Sequence, residues 1–120
     1  MKLTGNFEDL YVWQDAIQLG KDIYSLFDKC TVYSIKSQIE RASLSISANI
    51  AEGFELGTNR QFIKHLYIAK GSCGEVRSLL TFALEIGLFP KGVTMALADR
   101  AKKLSIMIYK LIKSQGGSKE

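Results

Sequence analysis

Few residues in this chain carry reactive chemistry. Histidine occurs once, at His65, and cysteine twice, at Cys30 and Cys73. A single imidazole leaves no Ser/His/Asp set with a histidine to spare. The two thiols have neither CxxC nor metal spacing, so the count excludes a Cys/His zinc site. A di-iron bundle needs Glu-x-x-His pairs on two helices, and the sequence has none. No GxGxxG or Walker pattern offers a phosphate cradle. No metal and no cofactor are therefore expected.

One polar row stands out. Gln38, Arg41, Ser45, Asn49 and Glu52 follow one another at spacings of three, four, four and three, which stacks them on one helix face. Asn49 also falls within an apolar seam. Arg41 and Glu52 are separated by about 16 Å along a helix axis, too far to pair directly. Their partners must come from elsewhere, and Glu75 and Arg77 are candidates. The row reads as a buried hydrogen-bond network fixing helix register, which must be fully satisfied to be tolerated. The other reading is a polar groove for a ligand, and the structural one is favoured. Small residues crowd around the row, including Ala42, Ser43, Ala48, Gly53, Gly71, Ser72 and Gly74, and permit close helix approach. Gly71 and Gly74 each cost a helix about 1 kcal/mol against Ala, which tight packing would offset.

Arg60 and His65 form an R-x4-H pattern that resembles the motif of small helical ribonucleases of the HEPN class. A histidine so placed could act as general acid or base near neutral pH. The pattern is short and arises often by chance. Charge gives a different lead. The chain carries +4 overall, yet residues 1–56 hold five basic and eight acidic side chains, whereas residues 57–120 hold eleven basic and four acidic, net +7. That asymmetry suggests an anionic partner, above all RNA or DNA. Candidate phosphate contacts are Arg60, Lys64, Lys70, Arg77, Arg100, Lys102, Lys103, Lys110 and Lys113. A solvated basic helix face is the plainer alternative.

Four apolar patterns at helical spacing must position these groups. They run Leu10, Trp13, Ile17, Gly20, Tyr24, Phe27; then Ile35, Ile39, Ala42, Ile46, Asn49, Gly53; then Phe62, Leu66, Ala69, Cys73, Val76, Leu80, Ala83, Gly87; then Leu97, Ala101, Leu104, Ile108, Leu111. No segment alternates with a period of two. Gly57-Thr58 reads as a stop and a new cap, with Gln61 at capping-box spacing. Gly87-Leu88-Phe89-Pro90 is a second stop. Helices are predicted at about 7–29, 34–56, 59–86 and 91–114, with a frayed tail at 115–120. The fold class is all-α: one domain over 1–120, an antiparallel up-down four-helix bundle. Helix 1 carries a second apolar series, Val12, Ala16, Leu19, Ile23, Leu26, and the end of helix 3 is apolar almost all round. That surplus implies an oligomer.

At 120 residues with 47% hydrophobic and 23% charged side chains, the composition is that of an ordinary globular domain. No apolar run suits a membrane span, and no apolar core follows Met1-Lys2-Leu3 to suggest export. The cysteine usage fits a reducing cytoplasm.

Three stretches together resemble one family. They are Phe7–Ala16 (FEDLYVWQDA), Gln38–Gly53 (QIERASLSISANIAEG) and Phe62–Ser72 (FIKHLYIAKGS). In this order and spacing they are similar to the four-helix-bundle proteins encoded in intervening sequences of bacterial 23S ribosomal RNA genes. The resemblance spans about residues 7–112. It implies an up-down bundle assembled into a homopentameric barrel and a non-enzymatic role. A related branch, the accessory variability protein of diversity-generating retroelements, is a basic pentamer that binds nucleic acid. The matching positions, Trp13, Gln38, Arg41, Ser45, Asn49, Glu52, Gly53, Gly71, Ser72 and Glu75, look like fold and assembly determinants. The expectation is a non-catalytic oligomer binding structured RNA or another nucleic acid. A protein–protein scaffold and a ribonuclease using Arg60 and His65 are the alternatives.

Overall fold

The computed structural model describes residues 3–117. A 3₁₀ turn at Phe7–Asp9 precedes four helices: α1 (Tyr11–Phe27), α2 (Tyr33–Glu55), α3 (Asn59–Glu85) and α4 (Lys91–Ser114). No strand occurs among the described residues. The connections 28–32, 56–58 and 86–90 are too short for anything but antiparallel neighbours. Each helix packs on the next, α4 closes back onto α1, and the diagonal pairs do not meet. The result is a rod of 47 × 24 × 20 Å. No helix among the described residues is long and apolar enough to cross a membrane.

The helix ends follow from local chemistry. Gly57 and Gly87 take φ of +87° and +73°, the left-handed conformation that stops α2 and α3. After α3, the N–H of Leu88 bonds back to Ala83 O and that of Gly87 to Leu84 O, each at 3.0 Å. Thr58 caps α3, its Oγ1 accepting from the Gln61 N–H at 3.3 Å. The first helix is shorter than its predicted span of 7–29. Leu10 is extended (φ −77°, ψ 127°) and separates the 3₁₀ turn from α1. Two contacts hold this break. Phe7 packs edge-on against Trp13 at 5.2 Å, and Gln14 Nε2 donates to Glu8 O at 2.8 Å. Residues near both ends of the described chain are tied to the α2–α3 turn: the Leu3 N–H donates to Gly57 O at 3.1 Å, and Asn59 Nδ2 donates to Gln115 O at 3.3 Å.

The core follows three of the four predicted seams. Ile35, Ile39, Ala42 and Ile46 of α2, Phe62 through Ala83 at the predicted positions of α3, and Leu97, Ala101, Leu104 and Ile108 of α4 are buried. In α1 the second series takes the core in place of the first, joined by Phe27 of the first while Leu26 is half-buried. Val12, Ala16, Leu19, Ile23 and Phe27 face the core. Of the other series, Ile17 and Tyr24 are 36% and 39% exposed. Both stripes repeat at three and four, so periodicity alone does not choose between them. The aliphatic stripe fills the centre of the bundle, and the one interrupted by Gly20 lies beside α2.

Candidate nucleic-acid interface

The polar row on α2 divides in two. Ser45 and Asn49 turn toward α3, where they meet Ser72 and His65. Asn49 Nδ2 donates to Ser45 O at 2.9 Å and to Ser45 Oγ at 3.0 Å. His65 Nδ1 lies 3.0 Å from Asn49 Oδ1. That oxygen can only accept, so Nδ1 carries the proton. Ser72 Oγ donates to Ser45 Oγ at 2.9 Å. The ladder works because the backbones are close at Gly53: a Cβ added there would stand 2.5 Å from His65 Cβ and 3.3 Å from Phe62 Cα. Gln38, Arg41, Glu52 and Glu75 lie outside it. They are exposed and make no side-chain hydrogen bond or ion pair among the described residues. The sequence reading missed His65 and Ser72 as ladder members. The signal was their antiparallel level with Asn49 and Ser45, visible only once α2 and α3 are paired.

No hydrogen bond joins Arg60 to His65 among the described residues. Arg60 is exposed, while His65 is half-buried against Asn49.

The basic candidates sort by seam. Arg60, Lys64 and Arg77 on α3, and Lys102, Lys103, Lys110 and Lys113 on α4, are all exposed. Lys70 is half-buried, its Nζ 5.9 Å from the centre of the Tyr109 ring, a cation–π contact across the α3–α4 seam. Lys103 pairs with Asp99 at 3.0 Å in an open ion pair that adds little stability. Arg100 stands apart from the others. Its Nη1 lies 2.7 Å from Asp22 Oδ2 across the α1–α4 seam, and this hydrogen bond holds the Asp22 carboxyl below the usual carboxylate range. Only three acids, Glu75, Glu85 and Asp99, lie on α3 and α4. Charge is thus segregated by helix pair, acidic on α1–α2 and basic on α3–α4.

Two open grooves follow these pairs. The one between α3 and α4, about 880 Å³, has Arg77, Lys102, Phe82 and Met95 among its lining. The one between α1 and α2, about 630 Å³, is lined by Ile17, Gly20, Tyr24 and Leu44, over Ser43 and Ser47. Those serines turn their hydroxyls onto carbonyls of their own helix, Glu40 O at 3.0 Å and Leu44 O at 3.4 Å, which leaves the floor less polar than its composition suggests. No cluster of His, Cys, Asp and Glu suited to a metal ion occurs among the described residues.

Comparison with known proteins agrees with this architecture. No curated protein matches the chain. A crystal structure at 1.70 Å, of a protein of unknown function from the S23 ribosomal protein family of Bacteroides thetaiotaomicron VPI-5482, superimposes with a TM-score of 0.79 at 20% identity. The match covers 85% of this chain and 98% of that one. At that identity the likeness concerns the fold. Residues 8–110 match the family described as 23S rRNA-intervening sequence protein. With nearly the whole bundle inside that match, the chain belongs to the 23S rRNA-intervening sequence protein family.

Proposed function

We propose that this protein is a non-catalytic homo-oligomer of the cytoplasm that binds structured RNA through the α3–α4 face. The observation that carries this reading is the segregation of charge. Arg60, Lys64, Arg77, Lys102, Lys110 and Lys113 are exposed on one helix pair that holds only three acids. Lysines on a rigid helix pair meet phosphates without reading base sequence, which suits recognition of RNA by shape. The family's link to 23S rRNA supports RNA over other polyanions. The engagement of half-buried His65 with Asn49, apart from exposed Arg60, weighs against a ribonuclease built on that pair. Arg100, committed to Asp22, is left out of the phosphate set.

Self-association is supported by the apolar groove on the opposite pair, where Ile17, Tyr24 and Leu44 stand exposed. The resemblance at sequence level implies five copies. A pentamer would repeat the basic face five times.

The test is a titration of structured RNA at two salt concentrations, with light scattering on the same sample. Affinity is expected to fall steeply with salt, the log–log slope tracking the number of phosphate contacts. Replacing Lys102, Lys110 and Lys113 by Gln is expected to weaken binding across all sequences and to flatten that slope. No binding at low salt with the oligomer intact would leave a scaffold role. Cleavage of the RNA abolished by His65→Ala would identify the ribonuclease. A mass near 13.4 kDa would refute the oligomer.

A further inference from the structure

The α3–α4 groove has a feature that phosphate binding alone does not use. Phe82 lies on its wall 55% exposed, and Met95 faces the same space 50% exposed. Among the described residues Phe82 stacks on no other ring, unlike the paired rings of Phe7–Trp13, Phe27–Phe89 and Phe54–Phe62. The remaining lining includes small side chains, Gly74, Ser78 and Ala98 among them. Nothing lies within 4 Å of where a Gly74 Cβ would be, so the space above it is open. Arg77 and Lys102 line the same groove, one from each helix. Two acids also line it. Asp99 is engaged by Lys103, whereas Glu85 makes no ion pair among the described residues.

A flat apolar ring flanked by cations is the combination that binds an unpaired base and its phosphates. An A-form duplex keeps its base faces stacked inside and offers only phosphates, 2′-hydroxyls and groove edges, so it gains nothing from Phe82. Glu85 repels phosphate and can only accept hydrogen bonds, so the backbone is directed to the Arg77–Lys102 end.

Resting on the RNA reading above, we propose that the α3–α4 groove holds a single-stranded stretch of RNA, a loop or bulge of a folded molecule. A base lies against Phe82, and the adjoining phosphates sit on Arg77 and Lys102.

The experiment uses the full chain with two labelled RNAs, an unstructured single strand and a blunt-ended duplex of that strand with its complement, at fixed salt. The variants are Phe82→Ala, Phe82→Tyr and the double Lys110→Gln/Lys113→Gln. Phe82→Ala is expected to weaken the unstructured RNA about tenfold, within the range of one lost stacking contact, and to leave the duplex and the salt slope unchanged. Phe82→Tyr is expected to restore binding. The lysine double variant should weaken both RNAs and lower the slope. Equal loss on both RNAs, or no loss on either, would overturn the groove assignment while leaving the phosphate-binding reading in place. A change of oligomer mass in Phe82→Ala would assign the ring to contact with a second copy and overturn it as well. If the parent protein binds neither RNA, the RNA reading itself fails.

Discussion

Asn49 joins α2 to α3 with every polar atom of its side chain in use. Its amide donates to Ser45, and its carbonyl accepts from His65. Asn49→Ala would leave His65 Nδ1 and the Ser45–Ser72 pair short of a partner in a half-buried seam. Destabilisation of about 1–3 kcal/mol is expected, read as a lower urea midpoint. Gly53→Ala should cost about 1–3 kcal/mol through a different cause, since the His65 Cβ and the Phe62 backbone occupy the space a methyl needs. An unchanged midpoint in both variants would show that the seam is not fixed by this ladder. Cys73 gives a pH-dependent test. Burial pushes its thiol from the ordinary 9.0 to about 12. Above pH 9 the unfolded chain's thiol ionises while the folded one keeps its proton. Stability from this group is therefore full below pH 9 and is lost as pH rises toward 12. The unfolding midpoint of the parent should fall with rising alkalinity more steeply than that of Cys73→Ala. In native protein a thiol reagent should reach half-buried Cys30 and spare Cys73.

At the scale of the helix, what was legible in the sequence depended on whether a signal was local. Gly57-Thr58 and Gly87-Leu88-Phe89-Pro90 state their helix ends in the residues themselves, because a left-handed glycine and a capping hydroxyl act within one turn. The inward face of α1 could not be read that way. Its two apolar stripes have the same period, and the choice belongs to α2 and α4, which pack against it. The Ser45–Asn49–His65–Ser72 ladder was half legible for the same reason: the α2 row is local, and its α3 partners are set by pairing. Exposed Arg41 and Glu52 point within about 20° of each other, whereas Asn49 points about 60–80° away from them, so the row straddles the boundary between the α3 seam and solvent. The exchange of stripes can be tested. Ile23→Ala removes fully buried atoms and should cost about 2–5 kcal/mol. Ile17→Ala, in the groove proposed for self-association, should cost less, and its effect on the unfolding midpoint should shrink as the protein is diluted and the oligomer dissociates. Equal losses that persist at dilution would show that the assignment of the inward stripe is wrong.

Taken whole, the molecule has four helices in cyclic order, and residues near both ends of the described chain are tied to the α2–α3 turn. Leu3 is bonded to Gly57, and Gln115 to Asn59, so both ends are held within two residues of each other's anchor on the α2–α3 turn. The order in which the helices are strung is therefore not what the bundle requires. A short Gly/Ser bridge between the ends, with the chain reopened in 28–32 or 86–90, would preserve every helix contact and leave new termini in a connection. Such a circular permutant should keep the parent's helical circular dichroism and a cooperative thermal transition. A permutant opened inside α3 should not, because the cut would divide the helix that carries His65, Ser72 and the buried seam from Phe62 to Ala83. With both anchors at this end of the bundle, fluorophores placed at Leu3 and Gln115 would report separation of the α2–α3 turn from the end of α4.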